Sequence, residues 1–207
     1  AAFKSGDVET SRSLHGQALA LAIEAQDPSG TAQALGGLMR AARRDRDFEE
    51  LEALAAQGDG LAQAFDDPSL RRFPVHMRAE GLRMQGRLVE ARSAYQESIA
   101  LNRSLGSEGM VAVEHGNLAW VEIAAGNLQR ADELVSICAD GVDTEYVYGR
   151  AFVLLTRARI LAERHDPAAR VTLDEADALL ASEGLVWDPA EEPSYLDTRR
   201  LVASLQT

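Results

Sequence analysis

An all-α repeat architecture is predicted by three observations: turn-like residues recur every 40 positions, helix-start residues recur at the same period, and apolar residues between them fall three or four apart. Composition agrees. Of 207 residues 46% are hydrophobic but only 5% aromatic, which suits helices packed closely through small side chains.

The turns are Gly6-Asp7, Arg46-Asp47, Gly86-Arg87, Gly126-Asn127 and Asp166-Pro167, followed at once by Val8, Phe48, Leu88, Leu128 and Ala168. A second column, Asp27-Pro28, Asp67-Pro68 and Ser107-Glu108, supplies N-cap side chains and, twice, a proline where the helix needs no donor. Asp166-Pro167 and Asp188-Pro189 carry the same signature, and Glu50 and Glu191 stand three residues after Asp47 and Asp188 as an acidic capping box. Between these marks the spacing predicts first helices at 28–45, 68–85, 108–125 and 145–164. Second helices are predicted at 8–25, 48–64, 88–104, 128–139 and 168–183, with a capping helix at 190–205. A third column of small residues, Ala18, Gly58, Ser98, Cys138 and Ala178, marks where neighbouring helices approach closely, and makes Cys138 a packing residue. Helix pairs of this kind bury their apolar faces only by stacking, so residues 1–207 are expected to form one repeat domain of about five pairs. The first pair has almost no first helix before Gly6-Asp7, which suggests a fragment of a longer chain.

The repeats resemble the tetratricopeptide repeat in a longer form of about 40 residues. The resemblance rests on Ala79-Glu80-Gly81-Leu82, Gly86 and Ala91-Arg92-Ser93-Ala94-Tyr95, and on Asn117-Leu118-Ala119, Gly126-Asn127-Leu128, Ala131 and Val135. The longer repeats resemble those of bacterial maltose-regulator-type transcription activators, related ATPase regulators and peptide-sensing cytoplasmic regulators. It implies a right-handed α-α superhelix whose first helices line a concave groove. Departures occur where Arg46 and Asp166 replace the turn glycine, where Leu51 stands in place of Ala91 and Ala131, and near Arg170 to Thr172, where a small insertion is expected.

With the faces assigned by that resemblance, successive first helices place Arg40, Glu80, Trp120 and Ile160 in one column. Arg43, Arg83, Ile123 and Glu163 form the next, and Gly36, His76, Gly116 and Thr156 the one before. The candidate binding residues are Arg40, Arg43, His76, Glu80, Arg83, Asn117 and Trp120. A basic section at Arg40, Arg43 and Arg83 beside an aromatic platform at Trp120 would suit an acidic or carboxylate-bearing peptide. Asn117 matches the family's groove asparagine. A plainer reading has Arg40 and Glu80 bridging adjacent helices and Trp120 packing.

The net charge of −12 argues against sequence-independent binding of nucleic acid or of an anionic membrane, which needs clustered Lys and Arg. The acidity is uneven: residues 1–103 carry 13 basic and 15 acidic side chains, residues 104–207 carry 8 and 18. One cysteine forms no internal disulfide and suits a reducing, cytoplasmic setting, and no apolar run approaches the ~18 residues of a membrane span. Phosphate-loop, dinucleotide and nucleophile-elbow motifs do not occur, and His15, His76, His115 and His165 lack a second ligand at helical spacing, so no cofactor and no metal is expected. Acidic clusters at 45–52, 174–177 and 191–192 fall at helix starts, where negative charge meets the helix dipole. Trp187 is expected to staple the capping helix. The sequence therefore predicts a non-catalytic protein- or peptide-binding scaffold, the repeat arm of a bacterial regulatory protein. The alternatives are a stand-alone cytoplasmic peptide sensor, or a self-assembly module joining copies through an N-terminal edge at Phe3, Val8 and Leu14.

Overall fold

The structure, a computed structural model, describes residues 8–143 and 145–205. Gly6-Asp7 and Phe3 lie outside the described residues. Those described form ten α-helices and no strand: α1 Val8–Glu24, α2 Pro28–Asp45, α3 Phe48–Ala64, α4 Arg72–Met84, α5 Leu88–Ser104, α6 Glu108–Ala124, α7 Leu128–Gly141, α8 Val147–Glu163, α9 Ala168–Ser182 and α10 Glu192–Ser204.

The connections explain the period. Gln26, Arg46, Asp66, Gly86, Gly106 and Gly126 all take positive φ, between 49° and 76°, at steps of 20 residues. In each turn the following amide donates to the carbonyl five residues back, as in Asp47 N to Ala42 O (2.9 Å) and Asn127 N to Glu122 O (2.8 Å). The left-handed residue itself donates three residues back, as in Gly86 N to Arg83 O at 3.0 Å. This double closure satisfies helix-terminal carbonyls and reverses the chain. The 40-residue repeat is thus two like half-units, each a helix and a left-handed turn.

The last turns slip from that register. The left-handed residue is His165 (φ 57°), not residue 166, and the next is Gly184 (φ 63°). The insertion expected near Arg170 to Thr172 is not found, because α9 is continuous from Ala168 to Ser182. The buried positions Ala169, Leu173, Ala176 and Leu180 stand two residues ahead of the register set by Leu51, Ala55, Gly58 and Ala62, which accounts for the mismatch. Ala178 is consequently exposed, and the place held by Gly58, Ser98 and Cys138 in earlier units falls to the buried Ala176. Ala18 is exposed too, so the small-residue column is buried only at its three middle members.

Four helix starts also differ. Pro68–Arg71 is a 3-10 turn and α4 begins at Arg72, since Pro74 has no N–H with which to bond four residues back. Asp27 and Ser107 sit at N-cap positions without a side-chain cap bond, whereas Asp47 does cap, accepting from Glu50 N at 3.0 Å. Asp188-Pro189 opens a turn and not a helix: Asp188 O accepts from both Glu191 N and Glu192 N, and α10 starts only at Glu192.

The chain divides into two compact units, Ala1–Leu101 and Asn102–Thr207. In the first, α1 packs on α2, α2 on α3 and α4, and α3 on α4. Its core joins Leu35, Leu38, Met39 and Ala42 of α2 to Leu51, Leu54 and Ala55 of α3 and Met77 of α4. In the second, α6 packs on α7 and α8, α7 on α8, and α8 on α9 and α10. Within each unit consecutive helices pair and even-numbered helices also touch one another, which makes those helices the shared inner layer.

Candidate functional site

In the first unit the predicted residues converge on one carboxylate. Four residues on from Met39, Arg43 leaves α2 beside α4, which presents Glu80 one turn after His76 and one turn before Arg83. Glu80 is 2% exposed. Its Oε2 accepts from Arg43 Nη1 (3.1 Å) and Arg83 Nη2 (2.9 Å), and its Oε1 accepts from Arg83 Nε (3.3 Å) and from the hydroxyl of Tyr95 on α5. Burial by itself pushes the Glu80 carboxyl up. The charges of Arg83 and Arg43, the Arg83 hydrogen bond and nearby His76 outweigh it, so the group titrates well below the ordinary carboxylate range. A carboxylate held this way has no proton to give and little basicity with which to take one.

The basic section expected at Arg40, Arg43 and Arg83 is therefore reduced. Arg43 and Arg83, 12% and 13% exposed, spend their charge on Glu80. Arg40 alone of the three is exposed, with its guanidinium carbon 4.4 Å from the centre of the Phe73 ring. That ring lies against Gly36, where a Cβ would come within 3.3 Å, and its centre is 6.0 Å from that of His76. Sequence reasoning missed Phe73 because the matching positions Gln33, Val113 and Val153 are not aromatic; the visible signal was its place three residues before His76. Tyr95 was visible only as a repeat-type aromatic.

In the second unit Trp120 is not an exposed platform. It is 7% exposed, its indole N–H donates to Thr156 Oγ1 at 3.0 Å, and its ring packs 6.3 Å from Phe152. Thr156, one turn earlier in the neighbouring helix, supplies the acceptor that lets the indole bury. Asn117 is half-buried and donates to the buried Glu114 at 3.4 Å. Cys138 Sγ would stand 2.8 Å from a Cβ at residue 116, so Gly116 is what admits it, and burial raises its thiol to about 11. It is a protonated packing thiol.

The second unit ends in an aromatic clasp. Trp187 stacks on Tyr195 of α10 (5.3 Å) and meets Tyr148 of α8 edge-on (5.9 Å). Asp177 of α9 accepts from Trp187 Nε1 (3.3 Å) and the Tyr195 hydroxyl (3.0 Å). Trp187 thus fastens the capping helix to α8 and α9. Among the described residues no group of three or more His, Cys, Asp or Glu is placed to hold a metal ion, and no helix is long and apolar enough to cross a membrane.

No family model and no curated protein matches the chain. Among solved structures, the crystal structure of BtubC (BKLC) from P. vanneervenii is similar, with a TM-score of 0.65 at 18% identity over 96% of this chain and 92% of that one. At that identity the likeness is one of fold.

Proposed function

We propose that this chain is a tetratricopeptide-type scaffold, a right-handed superhelix of about five pairs, that binds a protein or peptide and performs no chemistry of its own. The 20-residue recurrence of left-handed turns supports the repeat assignment. The resemblance of its repeats to those of bacterial transcription activators supports a role as the arm of a regulatory protein.

One observation carries the binding site: Arg40 stands exposed with its guanidinium over the Phe73 ring, which has His76 as its other neighbour, while Arg43 and Arg83 pair with buried Glu80. The ring fixes the plane of the guanidinium, so a ligand carrying a carboxylate beside an apolar group would meet the guanidinium and the ring together. The site is thus narrower than a basic groove. It suits a peptide with a single well-placed carboxylate, flanked by an apolar or aromatic group against Phe73 and His76.

The test is capture from a bacterial lysate by the intact chain, then competition with acidic peptides drawn from the captured proteins. Arg40→Ala is expected to weaken capture about tenfold, the scale of one charge-assisted bidentate contact. Phe73→Leu, which removes the ring and keeps the bulk, should weaken it less. Unchanged capture by Arg40→Ala with an intact helical spectrum would overturn the site.

A further inference from the structure

Gly36 lies buried in the middle of α2, where glycine gives up helix stability that alanine would keep. Elsewhere such a glycine makes room for a buried group. A Cβ would come within 2.4 Å of Pro74 at Gly58, 2.7 Å of Leu51 at Gly81 and 2.8 Å of Cys138 at Gly116. Gly36 has no such core neighbour. The atoms nearest to a Cβ there are Cδ1 and Cε1 of Phe73, at 3.3 and 3.4 Å, and Nη1 of Arg40, at 3.9 Å. All three belong to the stacked pair of the candidate site.

The cause is local geometry. Arg40 follows Gly36 by one turn, and a helical side chain leans back toward the N-terminus, so its guanidinium lies beside the space that a side chain at position 36 would fill. Phe73 reaches the same space from α4, with its ring centre 4.4 Å from the guanidinium carbon. An alanine methyl would press on the ring and stand next to the guanidinium. At 3.3 Å the ring has to give by a few tenths of an ångström, and the plane on which the guanidinium rests moves with it.

We propose that Gly36 is a positioning residue of the Arg40–Phe73 site: its missing side chain lets ring and guanidinium close on each other over α2, and so sets the spacing at which one ligand meets both. This rests on the carboxylate-binding reading of that site. A glycine kept for the site and not for the core separates stability from binding when it is replaced.

Gly36→Ala, Phe73→Leu and the double variant are compared with the wild type as full chains. The first readout needs no ligand. Arg40 side-chain protons over the ring are shifted upfield by its ring current in the NMR spectrum; Phe73→Leu abolishes that shift, and Gly36→Ala is expected to lose a large part of it. The second readout is the affinity, by fluorescence anisotropy, for a fluorescein-labelled Gly-Ser peptide carrying one aspartate beside one phenylalanine. Gly36→Ala should weaken binding about threefold, and should add nothing in the Phe73→Leu background. Its urea midpoint should stay at or above the wild-type value, as should that of Gly60→Ala, where a Cβ meets no atom within 4 Å. An unchanged ring-current shift in Gly36→Ala, a loss of affinity that persists in full beside Phe73→Leu, or a lowered urea midpoint would each overturn the proposal. Peptide binding that ignores Arg40→Ala would overturn the carboxylate reading and the role of Gly36 with it, and a ring-current shift still sensitive to Gly36→Ala would show that the reading, not the geometry, had failed.

Discussion

Two guanidiniums and a phenol converge on the buried carboxylate of Glu80. Replacing it takes from Arg43 and Arg83 the carboxylate they share, and removal of one member of a buried pair costs about 3–5 kcal/mol. Glu80→Gln is therefore expected to lower unfolding stability by about 3 kcal/mol in urea denaturation. The pH dependence has a definite sign. The folded carboxyl titrates below its ordinary value of 4.5, so its contribution is fully present above that value and is lost as pH falls from there toward the folded value. Wild type should lose stability steeply below about pH 4.5, and Glu80→Gln should have a shallower acid limb. Parallel acid limbs in the two proteins would show that other carboxylates control the transition.

At the scale of the element, the left-handed turn sets helix length, and its residue identities predict opposite effects. At Gly126 (φ 76°) a Cβ meets no atom within 4 Å, so Gly126→Ala is expected to cost only the backbone strain of that φ, about 1 kcal/mol. Gln26 (φ 53°) bears that strain already, and Gln26→Gly should raise the thermal midpoint by a few tenths to about 1 kcal/mol in equivalent stability. If both substitutions shifted it in the same direction, turn strain would not be the controlling term. These turns also show what the sequence could convey. Gly86 and Gly126 announce the turn because glycine is the residue φ > 0 favours; Gln26, Asp66 and His165 do the same work without announcing it, so the 20-residue half-period was hidden inside the 40-residue one. The columns of the inner layer were legible for the same reason of fixed period. Which members of a column meet was not: Arg43 reaches Glu80 from the helix before, and Trp120 buries because Thr156 offers an oxygen, and both depend on packing between helices that periodicity leaves open.

For the whole chain, stability should be shared out by neighbourhood, because in each unit the helices touch those one or two places away in sequence. The C-terminal clasp tests this most directly. Trp187 touches Tyr148, Asp177 and Tyr195, all within the second unit, and Asp177, next to the buried Ala176 of α9, accepts from both Trp187 and Tyr195 and so docks α10. Trp187→Ala removes two ring contacts and a hydrogen bond, a loss on the order of 3 kcal/mol. In hydrogen-exchange mass spectrometry α10 and the end of α9 should lose protection, while α2, α3 and α4 exchange as in the wild type. A uniform loss across all helices would mean that the chain unfolds as one cooperative body, and the nearest-neighbour description would fail. Selective loss in α10 would instead identify it as a separable lid over the last helix pair, held by three side chains.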